Sequence, residues 1–230
     1  MSGIQSQTQD PGIKGEVTVV EPDRFERQVA RRSAESRATV PALEFTQVVD
    51  AETYLAQISN LQAGLAAAVV SATGRALRDV PRLNAAYRDA RYELYSRVNI
   101  GLAMTSQDAV STPTIFDADT RPVEEIRQEI VSLRTRAGGA LHASQLAGAT
   151  FTVLDASSFQ ITAAAPLIQP PQAGALSFGP LGAGAVLRNG EPALGHVIHL
   201  GLAVDHRIVF GHHAAHFLAL VRQYLEQEPS

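Results

Sequence analysis

The stretch Val204-Asp205-His206-Arg207-Ile208-Val209-Phe210-Gly211 decides how the rest of this chain is read. It closes an apolar, strand-like run, Val197 to Val204. It then opens an amphipathic segment, Gly211 to Glu226, in which Phe217, Leu218, Val221 and Leu225 recur at helical spacing. His206 therefore sits in the turn between a strand and a helix, four residues before Phe210 and five before Gly211. An unperturbed imidazole titrates near pH ~6.5, so in its neutral form it can accept a hydroxyl proton at neutral pH. Asp205 beside it is expected to orient the turn.

Working outward, the remaining segments alternate between the two periods. Asp23-Arg24-Phe25-Glu26 reads as a capping box; the helix it opens runs to about Ala38, with Phe25 and Val29 inward and Arg24, Arg27, Arg31 and Arg32 largely outward. Thr39-Val40-Pro41 ends it, and Leu43 to Val49 reads as a strand. Leu61 to Val80 is an alanine-rich helix closed by Pro81. Val98 to Met104 is an apolar strand. Pro122 to Ala137 is a helix with Val123, Ile126, Ile130 and Leu133 on one stripe, stopped by Gly138-Gly139. Strands follow at Thr150–Leu154, Ala173–Phe178 and Val197–Val204, while Gly179 to Gly195 reads as a loop between strands. Strands and helices intermixed with long connections predict an α/β fold, a two-layer sandwich with a mixed β-sheet. Residues 1–15 read as a flexible N-terminal arm and 16–230 as a single domain.

Composition narrows the function classes. The 230 residues are 45% hydrophobic, enough for one sizeable core. A net charge of −4 provides no bulk attraction to nucleic acid or to an anionic membrane. Cysteine is absent, which removes disulfides, thiolate metal sites and a cysteine nucleophile together, and fits a reducing cytoplasm. No signal-peptide pattern and no apolar run long enough to cross a bilayer occurs, so a cytoplasmic protein without a membrane partner is expected.

The segment around His206 resembles the DHRxxDG signature of the dihydrolipoyl acyltransferases, the core catalytic subunits of 2-oxoacid dehydrogenase complexes. Chloramphenicol acetyltransferase shares their fold and the shorter HxxxDG form. The resemblance extends along the chain in family order and nearly family spacing. Arg31 to Ser36 with Thr39-Val40-Pro41 is similar to the family's AKRLxES helix and TIP turn, and Asp79 to Ala85 to its EVPxxNA segment. Val98 to Ala103 is similar to the VDIGVAV strand, Asp117-Ala118-Asp119 to the Asn-Ala-Asp that follows it, Gly148 to Val153 to GGTFTI, and Ile168 to Ala173 to INPPQA. This resemblance implies a chloramphenicol acetyltransferase-like fold and a homotrimer with sites at subunit interfaces, His206 of one chain facing the oxyanion segment of the next. It also implies His206 as the general base of acyl transfer.

Two departures fall at the implied site. The family serine after TFTI, whose hydroxyl stabilises the tetrahedral oxyanion, is replaced by Leu154, which has no donor. Thr152, Ser157 or Ser158 takes over from a neighbouring position, or backbone or water holds the charge; losing one such donor costs about 10²–10³ in rate. The motif aspartate, which in the family braces the histidine loop through an arginine, is replaced by Phe210, which can brace only by packing. Leu154, Phe210 and Asp205 are therefore expected around the substrate.

The histidines also allow a metal reading: His212 and His216 stand at i,i+4 spacing, with His196 and His199 on the preceding strand. Surface or interface histidines are the simpler account, and no metal is expected. The arginines of the first helix suit either phosphates, such as those of coenzyme A, or a solvated or subunit-facing surface. No lipoyl or subunit-binding segment is recognised before the catalytic region, which favours a stand-alone acyltransferase. The expectation is transfer of an acyl, in the simplest case acetyl, group from coenzyme A or an acyl carrier protein to a small-molecule hydroxyl. A tetronate or polyketide intermediate of antibiotic biosynthesis is one such acceptor, and no cofactor is held permanently. The competing expectation is a catalytically degenerate trimeric scaffold or ligand-binding protein of the same fold.

Overall fold

The computed structural model describes residues 13, 15, 17–52, 61–106, 109–136 and 141–227. The arm read over residues 1–15 therefore lies outside the described residues except for Ile13 and Gly15, as does the side chain of Phe25. The elements in chain order are α1 (Arg24–Thr39), β1 (Ala42–Asp50), α2 (Leu61–Asp79), β2 (Ala85–Arg88), β3 (Arg91–Leu94), β4 (Ile100–Ser106), β5 (Ala109–Ser111), β6 (Thr114–Ile115) and α3 (Val123–Arg136). They continue with β7 (Phe151–Asp155), β8 (Gly174–Phe178), β9 (Gly182–Arg188), β10 (Glu191–Asp205) and α4 (Gly211–Glu226).

Among the described residues the strands form an eight-stranded sheet in the order β1-β10-β8-β7-β4-β5, with β6 on β4 and β9 on β10; β2 and β3 form a separate hairpin. The sheet is mixed: β7 runs parallel to β4 and β8, and β10 runs antiparallel to β1, β8 and β9. Side chains alternate along a strand, and here the alternation separates two environments. Leu102, Phe151, Val153, Leu176, Leu200 and Leu202 join one core with Leu77 of α2, Ile126 and Ile130 of α3, and Phe217 and Val221 of α4. The opposite face carries Ala103, Thr152, Leu154, Ala175, Ser177, Gly201 and Ala203. There Ala203 packs with Ile168 and Val40. Ser36 of α1 donates to the Ile168 carbonyl at 2.7 Å, tying the helix to the segment between β7 and β8.

The capping box forms as read, with Asp23 accepting from Glu26 N–H at 2.8 Å and Glu26 accepting from Asp23 N–H at 2.7 Å. Two expectations are corrected. Val29 is not inward: it is 46% exposed, and Ser36 alone of the described α1 side chains is buried. The stretch 179–195 is not a loop but the β9–β10 hairpin, turned by Asn189-Gly190 with both φ values positive, 53° and 85°. That pair is the sequence signal for a type I′ hairpin. The β2–β3 hairpin, turned by Asp89-Ala90 at φ 48° and 58°, was likewise not expected from a non-glycine pair.

Close backbone approach at Gly201 is what lets the β7–β8 segment cover the sheet: a Cβ built there would lie 2.2 Å from the Ala164 carbonyl oxygen and 2.7 Å from Ser177 Oγ. Gly182 has nothing within 4 Å of the corresponding position. Gly201→Ala is expected to destabilise the protein by about 1–3 kcal/mol, read as a Tm lowered by several degrees in thermal unfolding. Gly182→Ala should leave the Tm within about a degree.

Candidate active site

The His206 turn is built from its backbone upward. Asp205, the last residue of β10, is 1% exposed, a burial that a carboxylate tolerates only when paired. Its oxygens accept from Arg207 N–H at 3.0 Å, Nε at 2.9 Å and Nη2 at 2.6 Å, a fork-shaped ion pair closed within one turn. The Asp205 carbonyl accepts from Ile208 and Val209 N–H, whose side chains are fully buried and anchor the turn to the core. His206 N–H donates to Pro41 O at 3.0 Å, which ties the turn to the start of β1. Its imidazole stays exposed.

A second clamp comes from the β2–β3 hairpin and the loop before it. Tyr92 Oη donates to the Arg207 carbonyl at 3.1 Å, and Arg207 stacks 4.6 Å from the Tyr87 ring centre. Arg82 donates to the Ile208 carbonyl at 3.2 Å. Phe210 fills the remaining side: it meets the His206 ring edge-on at 5.8 Å and 81°, and its ring centre lies 5.8 Å from both the His213 ring and the Arg82 guanidinium. Packing thus contacts His206 at the position where the resembled motif has an aspartate. Nothing in the local sequence around Arg82, Tyr87 and Tyr92 predicts these contacts. The signal available was two tyrosines bracketing the arginine-flanked Asp89-Ala90 turn.

The oxyanion candidates are placed elsewhere. Leu154 lies on β7, paired with Ala103 and Ser177, partly exposed on the face away from the helices. Thr152 Oγ1, buried on the same face, donates to Gln172 Oε1 at 2.7 Å. Ser157 Oγ donates to Asp155 at 2.5 Å, and Asp155 also takes Ser157 N–H and Arg134. Ser158 is exposed, with its Oγ 3.4 Å from the Asp155 carbonyl. The hydroxyls of Thr152 and Ser157 are therefore already committed within the chain. Register sets the distance to His206. Leu154 pairs with Ser177, Ser177 with Gly201, and His206 is five residues further along. At ~3.3 Å per residue and ~4.8 Å per strand this is on the order of 20 Å. One chain does not bring His206 and Leu154 together.

Among the described residues, no three His, Cys, Asp or Glu side chains converge as metal ligands, and no helix is long and apolar enough to cross a membrane. His212 stacks on His213 at 3.8 Å, and His196 Nδ1 lies 3.1 Å from Glu52.

The domain is thus an α/β fold, a mixed sheet covered by helices on one face with a histidine turn at the end of its longest strand. Residues 14–230 match the family described as 2-oxoacid dehydrogenases acyltransferase (catalytic domain), and the chain belongs to that family. It is 27% identical over 226 residues to the mitochondrial dihydrolipoyllysine-residue acetyltransferase component of the pyruvate dehydrogenase complex of Dictyostelium discoideum, covering 94% of this chain and 36% of that protein. The chain spans 36–41% of the length of the first curated relatives it matches. In fold it is similar to the dihydrolipoamide acetyltransferase of Azotobacter vinelandii, with TM-score 0.83, 21% identity and 93% of each chain covered. Chloramphenicol acetyltransferase is similar at TM-score 0.55 and 17% identity over 85% of this chain and 94% of that one, which agrees with the expected fold class.

His213 adds a titratable contact to the turn. Its Nδ1 accepts from Phe210 N–H at 3.3 Å, capping the first turn of α4, and only an unprotonated nitrogen can do so. Burial first, then His212 and Arg82, hold its pKa below the ordinary imidazole value. The unfolded chain therefore takes up the proton first as pH falls, so this contribution is present above pH ~6.5 and is lost as pH falls from there towards the folded pKa. His213→Gln, which keeps an acceptor that does not titrate, is expected to flatten the pH dependence of Tm just below pH ~6.5. Thermal unfolding repeated at several pH values checks this.

Proposed function

We propose that this protein is an acyltransferase that moves an acyl group, acetyl in the simplest case, from a thioester of coenzyme A or a carrier protein to a hydroxyl of a small molecule. His206 is the general base. The observation that carries the reading is an exposed imidazole on a turn whose backbone is fixed by Asp205, Pro41, Tyr92 and Arg82. An alcohol is almost fully protonated at neutral pH and attacks a thioester poorly without such a base. A hydroxyl of a tetronate or polyketide intermediate is one acceptor of this kind.

The structure of the Azotobacter vinelandii relative concerns the role of a serine, a histidine and an asparagine in its catalytic mechanism, the serine 52 positions before the histidine and the asparagine four after it. In this chain the residues at the same spacings from His206 are Leu154 and Phe210. A histidine thus stands with leucine and phenylalanine at the two spacings where that relative has serine and asparagine, and we take His206 as the base. The separation of His206 from Leu154 supports a site completed by a second chain, and we propose a homotrimer. The exposure of α1 supports the same reading, because an isolated helix of this length is marginal in water without a packing partner. The commitment of Thr152 and Ser157 to internal hydrogen bonds favours a second reading, a degenerate scaffold that binds ligand without turnover.

Thiol release from acetyl-coenzyme A, with and without a hydroxyl acceptor, decides between these readings. His206→Ala is expected to lower the rate at least about 10²-fold while leaving Tm and assembly unchanged; full activity in this variant would exclude the mechanism. Leu154→Ser restores a donor and should raise the rate, by up to about 10²-fold. Light scattering should report a trimer, and a monomer at micromolar concentration would remove the inter-chain site.

A further inference from the structure

Arg82 is a half-buried guanidinium, and among the described residues no carboxylate forms an ion pair with it. Glu93, which follows Tyr92 on β3, pairs with Arg88, and Asp205 of the histidine turn pairs with Arg207. Of its five N–H groups, the described contacts use one hydrogen bond, to the Ile208 carbonyl. Its planar group lies 5.1 Å from the Tyr92 ring centre and 5.8 Å from that of Phe210. These two rings remain 45% and 41% exposed, and Phe210 is also the ring that touches His206. The result is a local positive charge, framed by open aromatic faces, beside the proposed base on a chain of net charge −4.

We propose that Arg82 is an anion-binding residue of the His206 site. With Phe210 and Tyr92, it selects an acceptor that carries its negative charge on a flat ring. The inference rests on the acyltransferase reading for the role of His206, but not for the binding itself. A guanidinium with free N–H groups offers a paired, planar contact to a carboxylate or a delocalised oxyanion. Rings that stand within reach of the cation offer a stacking surface to a flat body. A flexible aliphatic alcohol would use neither feature. The replacement at Phe210 then acquires a positive role, because a small polar residue there would remove the stacking wall.

The test uses the full chain and titration calorimetry with three probes: 3-hydroxybenzoate, its neutral counterpart 3-hydroxybenzamide, and 3-hydroxycyclohexanecarboxylate, which keeps the charge but is not flat. Coenzyme A and pantetheine form a further pair that reports on donor phosphates. The expected order is 3-hydroxybenzoate bound at least about tenfold more tightly than either analogue, the scale of one hydrogen bond to a charged group. Arg82→Gln should remove that preference and Arg82→Lys should keep part of it. Arg91→Gln, at an exposed cation of the same hairpin that forms no ion pair among the described residues, should change nothing. Phe210→Asn should weaken 3-hydroxybenzoate more than 3-hydroxycyclohexanecarboxylate. Equal binding of the three probes by the wild type would overturn the proposal, whether or not the variants fold. So would an Arg82→Gln effect confined to coenzyme A against pantetheine, which would assign the charge to the donor. An Arg82→Gln variant that lowers Tm while the probe preference persists would reduce Arg82 to a brace of the turn. Selective binding without any thiol release from acetyl-coenzyme A would instead sustain this inference and remove the catalytic reading.

Discussion

The pairing of β10 is the constraint on which the rest of the molecule depends. One strand of 15 residues holds β9 at its start and β1 and β8 on its two sides towards its end. It finishes in a carboxylate that is buried and neutralised by Arg207. The ladder fixes the direction in which the chain leaves the sheet. The Asp205–Arg207 pair then closes the turn locally, because a buried carboxylate without that partner would be strongly destabilising. His206 inherits its position from both. The helix that follows is held by Ile208, Val209, Ala214 and Phe217 in the core, so the turn is anchored on either side of the imidazole.

Period-two alternation explains why the candidate site divides. The apolar residues of β7 and β8 face the helices, so Thr152, Leu154 and Ser177 face the other way and are covered in part by the segment between β7 and β8. That segment approaches the sheet closely enough that its Ala164 carbonyl lies over Gly201. Hydroxyls on this face are drawn into its internal hydrogen bonds, as with Ser177 to Ala164 and Thr152 to Gln172. The face therefore serves packing first. Any chemistry at Leu154 has to be shared with a histidine that its own chain holds at the far end of the sheet.

The replacement at Phe210 changes the character of the turn. In place of a polar side chain the loop presents a phenyl ring contacted by His206, His213 and Arg82. Aromatic and cation contacts at 5.8 Å brace the backbone less directionally than hydrogen bonds. The directional hold comes instead from the two carbonyls that accept from Tyr92 and Arg82. The β2–β3 hairpin, remote in sequence, has thereby become part of the histidine's support.

Most of the element order could be read from the chain, because apolar periodicity and local capping act over a few residues. The Asp23–Glu26 box, the α3 stripe of Ile126, Ile130 and Leu133, and the strand leading to His206 all follow from such local rules. The Asn189-Gly190 hairpin is legible too, since that pair tolerates positive φ, although the glycines around it equally suit a loop. The turn at Asp89-Ala90 was not legible, because alanine carries no signal for the left-handed region it occupies. By itself, then, the sequence determined the fold class and that a histidine stands at 206 and a side chain without a hydroxyl at 154, each a matter of residue type and spacing. Only the tertiary structure decided which hydroxyls were free, how far Leu154 stands from His206, and that Arg82, Tyr92 and Phe210 meet beside the imidazole. Those outcomes depend on strand register and on contacts between segments 80 to 210, and no local pattern encodes either.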